Sequence, residues 1–578
     1  MNFLGTNFRL HNKRLAVVIL LLLTLLLVAC GGGAAEEETP AAEVPAESSE
    51  SEDAEAEAPA EEAMEEEAPA EEAEEMEEEM PAEEAEESME DGEHAMMQEG
   101  TLRIASQPIV QIDPGLVSSD AEVMIANAVY DYLVDVDVNN NIIPRLAKSW
   151  TQPDNTTYIF ELEEGVTFHD GSPFTAEDVV WTFDRLRDAD LGLPTSSLYA
   201  NIDSIEATGD LEVTFNLTDP NPFFLFDLSD NHALVLKAGT EDADTNFNGT
   251  GAFIVTSYSP EDRLTMEANP NYFVEGEPHL ANIEVIFFND QRARVEALRD
   301  GQTDLAISMS VDDFVSLRSE DHISTFTANT NAFDLVRLRS DREPGSDPRI
   351  MQALRLATDR DAIYGVVLQG FGAVGNDSPI GPLYSAYHDP EAAPPIRDIE
   401  AAKTLLADAG YPEGFSMTLY TPDSGNRPAL AAVLKEMWAE AGFNVDIVVE
   451  PESVYYGEDP DTGEPKWLSV DLGITGWGSR PYPQFYLDVM LVCDAQWNES
   501  HFCDEEFDAL VQTAGSTHDE AERVQAYKDI QALLIERGPV MIPYFFAQFG
   551  GISTDFEGFT MKAFPGRSDL RTIQWTGE

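Results

Sequence analysis

A long acidic segment near the N-terminus limits the part of this chain that can form a packed core. Residues 34–100 consist almost wholly of Ala, Glu, Pro, Met and Ser, and they contain no Lys or Arg. Like charges at this density repel, and too few aromatic and branched side chains are present to repay the entropy of ordering the chain. We therefore expect residues 30–100 to form a disordered tether and the fold to begin near residue 101. Cation capture by the acidic tract is the alternative explanation.

The first 29 residues are typical of an export signal. Arg9, Lys13 and Arg14 precede an apolar run over residues 15–29, which ends at Cys30 and three glycines. The run is shorter than the ~20 residues needed to span a bilayer. Its last residues, Leu-Val-Ala-Cys, resemble a bacterial lipobox, in which the cysteine becomes lipidated. We expect a lipoprotein signal peptide and anchoring through Cys30 to the outer face of the cytoplasmic membrane, in the periplasm or at the cell surface; a plain membrane anchor is the alternative.

The charge of the chain argues against nucleic acid as a partner. The formal net charge is -78, and the part outside the tether is still acidic. Phosphate recognition needs basic stripes, and none occur in the sequence.

Motifs for enzyme chemistry are missing or lie in the wrong context. Gly370, Gly372 and Gly375 form a G-x-G-x-x-G string, but Asn-Asp-Ser-Pro follows it, which indicates a loop and not the helix that dinucleotide binding requires. The sequence has no H-E-x-x-H or G-x-S-x-G motif, and its nine histidines are scattered. We expect no enzyme, no cofactor and no metal site.

Residues 415–449 indicate a βαβ unit. Residues 415–420 and 443–449 read as strands, and between them lies a helical pattern with Pro428 near its first turn and Gly442 at its end. The apolar positions of that helix share one face: Leu430, Val433, Leu434, Met437 and Trp438. Such a unit predicts an α/β lobe. Further helices are indicated by start and stop signals at Thr175 with Asp178, Asp398 with Gly410, and Asp519 with Gly538.

The chain has three cysteines. Export places them in an oxidising compartment, and Cys30 is assigned to lipid, so Cys493 and Cys503 remain as a pair. The polar segment between them can turn back and close a short loop. We expect a local disulfide; two free buried thiols are the alternative.

Ordered blocks from residue 100 to the C-terminus resemble one protein family. Residues 144–150 resemble its P-x-L-A-x-S-W pattern, and residues 165–179 follow its most recognisable block almost residue for residue. Further matches are Gly249 to Gly251, Asn269 to Tyr272, Gly301 with Asp304, Asp347 to Arg360, and Ala402 to Gly414. By this resemblance the chain is identified as a member of the extracellular solute-binding proteins of ABC transporters, family 5, which serve oligopeptide, dipeptide and nickel importers.

The resemblance implies an α/β fold with two lobes, the periplasmic-binding-protein fold of class II-like type, with the ligand cleft between the lobes. The first lobe is expected to hold residues 101–310 and 546–578, with an extra subdomain at about 135–240, and the second lobe residues 311–545. The implied partners are a small peptide-like or anionic solute and the permease and ATPase complex in the membrane. The protein itself is expected to be a monomer.

The family resemblance also points to a ligand-binding segment of the second lobe. The family has a tryptophan there, which Trp477 matches, and commonly an aspartate shortly after it that pairs with a peptide α-amino group. Here Arg480 stands near that position, next to Ser479. A guanidinium repels an ammonium and suits a carboxylate or phosphate. Arg480 is therefore predicted either to clamp a ligand anion or to form a surface or inter-lobe ion pair, and Trp477 either to contact the ligand or to fill core beneath it.

Three more residues are predicted ligand contacts from strand-end loops, where cleft residues gather in α/β lobes. They are Gln107, Phe333 and Tyr420. His169, in contrast, is expected to be a hydrogen-bonded structural residue.

The predicted function is the extracellular solute-binding component of an ABC importer for oligopeptide- or dipeptide-like solutes. The alternatives are a non-peptide anionic solute, such as a sugar or phosphorylated compound, nickel or haem as cargo, or a role as a surface sensor on the same fold.

Overall fold

The structure is a computed structural model, and it describes residues 99–457 and 463–577. The predicted signal peptide, the lipidation site at Cys30 and residues 30–98 of the predicted tether lie outside the described residues.

The described chain alternates strands and helices throughout. The strands are β1 (Thr101–Ser106), β2 (Val134–Val136), β3 (Ile142–Pro144), β4 (Ala147–Asp154), β5 (Thr157–Leu162), β6 (Ile202–Gly209), β7 (Glu212–Leu217), β8 (Phe253–Ser259), β9 (Arg263–Ala268), β10 (Asn282–Phe287), β11 (Leu305–Ile307), β12 (Ile323–Leu338), β13 (Ala373–Val374), β14 (Phe415–Pro422), β15 (Phe443–Glu450), β16 (Leu472–Trp477), β17 (Val540–Ser553), β18 (Phe556–Glu557) and β19 (Gln574–Trp575).

The helices are α1 (Asp120–Val129), α2 (Ala176–Arg187), α3 (Phe224–Asp227), α4 (Gln291–Arg299), α5 (Val311–Leu317), α6 (Pro348–Ala357), α7 (Arg360–Val367), α8 (Ile399–Asp408), α9 (Arg427–Ala439), α10 (Glu452–Tyr455), α11 (Lys466–Ser469), α12 (Gln484–Met490), α13 (Glu505–Ser516) and α14 (Glu520–Arg537). Several begin at the predicted caps. Asp398 accepts from the Ala401 N–H at the start of α8, and Asp519 accepts from backbone N–H groups at the start of α14. These side chains satisfy donors that have no partner inside the helix.

The predicted βαβ unit is confirmed. Strand β14 pairs with β15 in parallel, and α9 connects them. Leu430, Leu434 and Trp438 are buried against the sheet, as the spacing of apolar positions predicts. The unit lies at one end of an eleven-stranded sheet with the order β15-β14-β16-β12-β17-β11-β1-β10-β9-β8, on which β13 pairs beside β17.

Two long strands connect the two halves of this sheet. The first part of β12 pairs with the last part of β17, which also pairs with β11, whereas residues 333–338 of β12 pair with β16. Phe326 of β12 packs against the core built by residues 102–287, Leu305, Ile307 and residues 552–573. Phe333 belongs to the core that includes Tyr486 and Phe545. The chain therefore crosses between the two cores near residues 329–333 of β12.

Helix α5 lies directly after residue 310, where the sequence predicted a lobe boundary; that boundary stays a prediction. Phe314 and Leu317 of α5 are buried with Ala105 and Val295, so this helix packs with the first core. Helix α5 buries its apolar side against β1 and α4, an arrangement that local sequence does not reveal.

A separate four-stranded sheet, with the order β4-β5-β7-β6, lies within the predicted extra subdomain. Phe183 of α2 packs on this sheet, with its ring centroid 5.3 Å from that of Phe215. The C-terminal part of the chain packs against the first core. Lys562 and Arg567 there form ion pairs with the buried carboxylate of Asp135. Burial opposes ionisation of Asp135, but these two cations lower its pKa.

Two smaller predictions are also confirmed. His169 lies within hydrogen-bonding distance of the carbonyl oxygens of Gly251 (2.9 Å) and Phe247 (3.3 Å), as expected for a structural histidine. Cys493 and Cys503 form a disulfide across a separation of ten positions.

Candidate ligand-binding site

A buried ion pair holds Trp477 in place at the end of β16. The indole Nε1–H donates to Glu499 Oε1 over 3.2 Å. Glu499 also accepts from the Thr475 hydroxyl (2.7 Å) and pairs with Arg337, whose Nε lies 3.3 Å from Oε2. Burial raises the pKa of Glu499 and lowers the pKa of Arg337, against the attraction within the pair. The network fixes the orientation of the indole, and Trp477 keeps part of its surface exposed.

Arg480 follows three residues after Trp477 and has no ion-pair partner in the described parts of the chain. Its guanidinium lies 4.6 Å from the centroid of the Phe485 ring, and Nη1 donates to the Ser479 carbonyl over 3.0 Å. Its own carbonyl accepts from the Tyr384 hydroxyl at 2.7 Å. The side chain is partly exposed. The arrangement holds the Arg480 backbone firmly and leaves donors of the guanidinium available, which suits capture of an anion.

Ser479 links this segment to the crossing strand β12. Its Oγ accepts from the Asn331 backbone N–H at 3.2 Å. The Tyr486 hydroxyl lies 2.7 Å from the Gly478 carbonyl and 3.1 Å from the Asn331 carbonyl. The loop after β16 is thereby fastened to the point where the chain passes between the two cores.

The other three predicted contacts lie elsewhere. Phe333 faces Trp477 across the β12–β16 pairing, but its side chain is 0% exposed and its ring packs against Tyr486 and Phe545. The Phe333 side chain is part of the core, so in this structure it has no exposed surface with which to contact a ligand. Tyr420 is half-buried on β14, and Gln107 is exposed directly after β1. No hydrogen bond or ring contact within residues 99–457 and 463–577 joins either one to Arg480.

An aromatic contact near Arg480 was not predicted from the sequence. Tyr482 stacks on Phe223 of the four-stranded-sheet region, with ring centroids 4.6 Å apart and planes 8° from parallel. The Tyr482 hydroxyl donates to Asp227 Oδ1 over 2.6 Å, and Asn140 donates to the Pro481 carbonyl. Burial raises the pKa of Asp227 to about 7. These contacts join the segment after Trp477 to the region of the four-stranded sheet. The only sequence signal was an aromatic residue between two prolines.

The structure also contains a cavity of about 300 Å³ away from these residues. It lies between α6, α8 and α14 and is lined mainly by apolar side chains, among them Leu356, Leu405 and Ile535. In the part of the chain that the structure describes, no group of three His, Cys, Asp or Glu side chains is placed to hold a metal ion.

Comparison with known families matches the site and most of the fold. The profile described as bacterial extracellular solute-binding proteins, family 5 Middle, matches residues 141–498, which is more than half of the chain. The chain belongs to the family 5 bacterial extracellular solute-binding proteins. This family is a class of solute-binding transport proteins and not a class of enzymes. The matched range contains Trp477, Ser479 and Arg480.

Relatives and solved structures agree with membership of family 5. The chain is 27% identical over 475 residues to the dipeptide-binding protein of Escherichia coli K12, and this alignment covers 75% of this chain and 86% of that protein. The crystal structure of the ABC transporter substrate binding protein CtaP from Listeria monocytogenes has a TM-score of 0.72 at 22% identity and covers 83% of this chain and 100% of CtaP. The dipeptide binding protein from Pseudoalteromonas sp. SM9913 in complex with Met-Leu has a TM-score of 0.65 at 24% identity and covers 82% and 100% of the two chains.

The two-lobed α/β fold predicted from the sequence is thus confirmed for this family 5 protein. No helix within the described residues is both long and apolar enough to cross a membrane.

Proposed function

We propose that this protein captures a peptide-like solute outside the cell membrane, binds an anionic group of that solute at Arg480, and delivers it to an ABC permease. Family membership supports the transport role, and relatives named for dipeptide binding support the cargo class. The anionic group of the solute is inferred from the geometry of the site and not from the relatives.

The observation that carries the proposal is the state of Arg480. The chain is strongly acidic, yet no carboxylate in the described residues pairs with this guanidinium. Arg480 lies three positions after Trp477, so an aromatic side chain and a cation are close together for a solute to bind. A carboxylate of the solute would form a charge-assisted hydrogen bond with the guanidinium, and the indole would cover an apolar side chain.

Binding and delivery are coupled through closure of the lobes. The crossing strands β12 and β17 hold the lobes together, and the Tyr482–Phe223 contact joins them beside the site. A solute that touches both lobes gains its full set of contacts only when they are closed, so it shifts the population toward the closed form. The permease can then distinguish loaded from empty protein.

The same proposal includes the attachment of the protein. Lipidation at Cys30 would tether it to the outer face of the membrane, and the acidic segment after Cys30 would let the lobes reach the permease. The protein would act as a monomer, because one chain supplies both walls of the cleft. Within β12, residues 329–333 would mark the boundary between the lobes.

Isothermal titration calorimetry with three probes tests the proposal: Ala-Phe, N-acetyl-Ala-Phe and Ala-Phe amide. Because Arg480 is proposed to bind the carboxylate, the two acids should bind and the amide should bind most weakly. Arg480→Ala should weaken binding of the acids about tenfold or more, since loss of a charged hydrogen bond costs about 1.5 kcal/mol or more.

Arg318→Ala is the matched control, because Arg318 is an exposed residue after α5 and its removal changes the net charge equally. Its affinities should equal those of the wild type. Equal affinity of the acid and the amide would remove the anion role from Arg480, and failure of all three probes would contradict the peptide assignment.

A further inference from the structure

The crossing strand β12 carries a bulge beside the Trp477 segment. The pairing of β12 with β17 jumps from Asn329 opposite Ala547 to Phe333 opposite Phe545, so three residues of β12 face one residue of β17. Asn331 is the middle residue of this bulge. The Thr330 hydroxyl fastens the bulge by donating to the Phe546 carbonyl over 2.9 Å. Bulges re-aim side chains and are frequent beside binding sites.

The side chain of Asn331 is buried without partners. The residue is 0% exposed, and neither its Oδ1 nor its Nδ2 has a hydrogen-bond partner. In the described ranges it is the one buried carboxamide of which this is true. Its backbone, in contrast, is satisfied by Ser479 Oγ and the Tyr486 hydroxyl. A buried donor and acceptor without partners lower the stability of the folded protein, so native structures rarely keep them unless something else pairs with them.

A comparison with Asn498 shows how unusual this is. Asn498 is also buried, but its Nδ2 donates to the carbonyls of Val492 (2.9 Å) and Phe502 (2.7 Å), and its Oδ1 accepts from Ser500. The Asn498 carboxamide holds a loop together, whereas the Asn331 carboxamide holds nothing within the described protein.

We propose that the Asn331 carboxamide pairs with an amide group of the bound solute, next to the anion that Arg480 binds. This inference rests on the proposed function and names the chemistry of the neighbouring subsite. A carboxamide presents one acceptor and donors side by side, which matches the C=O and N–H of an amide. The Asn331 backbone N–H donates to Ser479 Oγ, and the Ser479 carbonyl accepts from Arg480 Nη1, so Ser479 connects the two residues.

The location adds a second argument. Asn331 lies where β12 passes from the first core to the second. Its side chain has no exposed surface in this structure, so a solute reaches the carboxamide only after the two lobes have separated. The peptide bond that precedes a terminal carboxylate would lie against Asn331 when that carboxylate lies against Arg480.

The test uses the whole protein, the variant Asn331→Leu and the control Asn498→Leu. Each is incubated with a tryptic digest of casein and freed of unbound peptides by gel filtration. The retained peptide is measured by native mass spectrometry, and the thermal midpoint is measured without peptide. Leucine has the same number and branching of side-chain heavy atoms as asparagine, and it needs no hydrogen bonds.

For Asn331→Leu we expect a midpoint at or above that of the wild type, together with affinity about tenfold or more lower for the most abundant peptide retained by the wild type. Asn498→Leu should lower the midpoint. A structural role for Asn331 predicts the opposite result, a midpoint that falls as it does in Asn498→Leu, and that result would overturn the inference.

Two further outcomes also decide the matter. Retention of peptide by Asn331→Leu at the level of the wild type would overturn the inference and leave the proposed function standing, since a resident water would then satisfy the carboxamide. No retention of any peptide by the wild type would overturn the proposed function itself, and the assignment of Asn331 with it.

Discussion

Replacing Asp227 with asparagine should remove a pH-dependent loss of stability. Asp227 is 4% exposed, and its carboxylate accepts from Tyr482 (2.6 Å) and Asn221 (2.7 Å). Burial raises its pKa from 3.8 to about 7, against the effect of these two donors. Between these two pH values the folded protein holds a proton on Asp227 that the unfolded chain has released, so stability falls as pH rises through this window.

The size of the effect follows from the pKa. A rise of about three units corresponds to about 4 kcal/mol of stability, present at pH 4 and lost at pH 8. This is an upper limit, because separation of Tyr482 from Asp227 would let water reach the carboxylate. Asp227→Asn should therefore be more stable than the wild type at pH 8, by at most about 4 kcal/mol, and should show no such gain at pH 4.

Urea denaturation at several pH values between 4 and 8.5, followed by tryptophan fluorescence, measures this difference. Asp446→Asn serves as the control, since Asp446 is exposed on β15 and carries the same charge. Subtracting the two variants from the wild type at each pH cancels the titration of other groups. A gain in stability for Asp227→Asn that is equal at pH 4 and pH 8, or absent at both, would show that burial does not raise the pKa of Asp227.

Two other changes test the surroundings of the site. Glu499→Gln should destabilise the protein by about 3–5 kcal/mol in urea denaturation, because it leaves Arg337 buried without a counter-charge. The emission of Trp477 should also shift, since its hydrogen bond to Glu499 weakens. Unchanged stability would show that the buried Arg337 charge does not depend on Glu499. Cys503→Ser opens a loop of about ten residues and should cost about 3 kcal/mol by the chain-entropy estimate; equal melting of the variant and the wild type would show that the bond with Cys493 does not form.

Local patterns in the sequence predicted the local structure well. The βαβ unit at β14, α9 and β15, the caps at Asp398 and Asp519, and the disulfide all depend on residues close together in the chain, where periodicity and capping chemistry are sufficient. The segment with Trp477 and Arg480 was found through its resemblance to the family.

Features that depend on distant residues were not predicted. Asn331 and Ser479 are 148 positions apart, and nothing near Asn331 in the sequence shows that a bulge removes its side chain from the strand pairing. Phe333 was predicted to contact the ligand because it lies near a strand end, but the fold of β12 between β16 and β17 places its ring in the core. The stacking of Tyr482 on Phe223 likewise joins segments that only the closed fold brings together.

We infer that this family 5 protein carries a peptide-like solute with an anionic group. The most direct test is native mass spectrometry of the protein purified without unfolding, followed by release and fragmentation of its cargo. We expect a short peptide or amide-containing compound with a free carboxylate. A sugar or phosphorylated compound without an amide, a nickel complex or haem in its place would show that the protein does not carry a peptide-like solute.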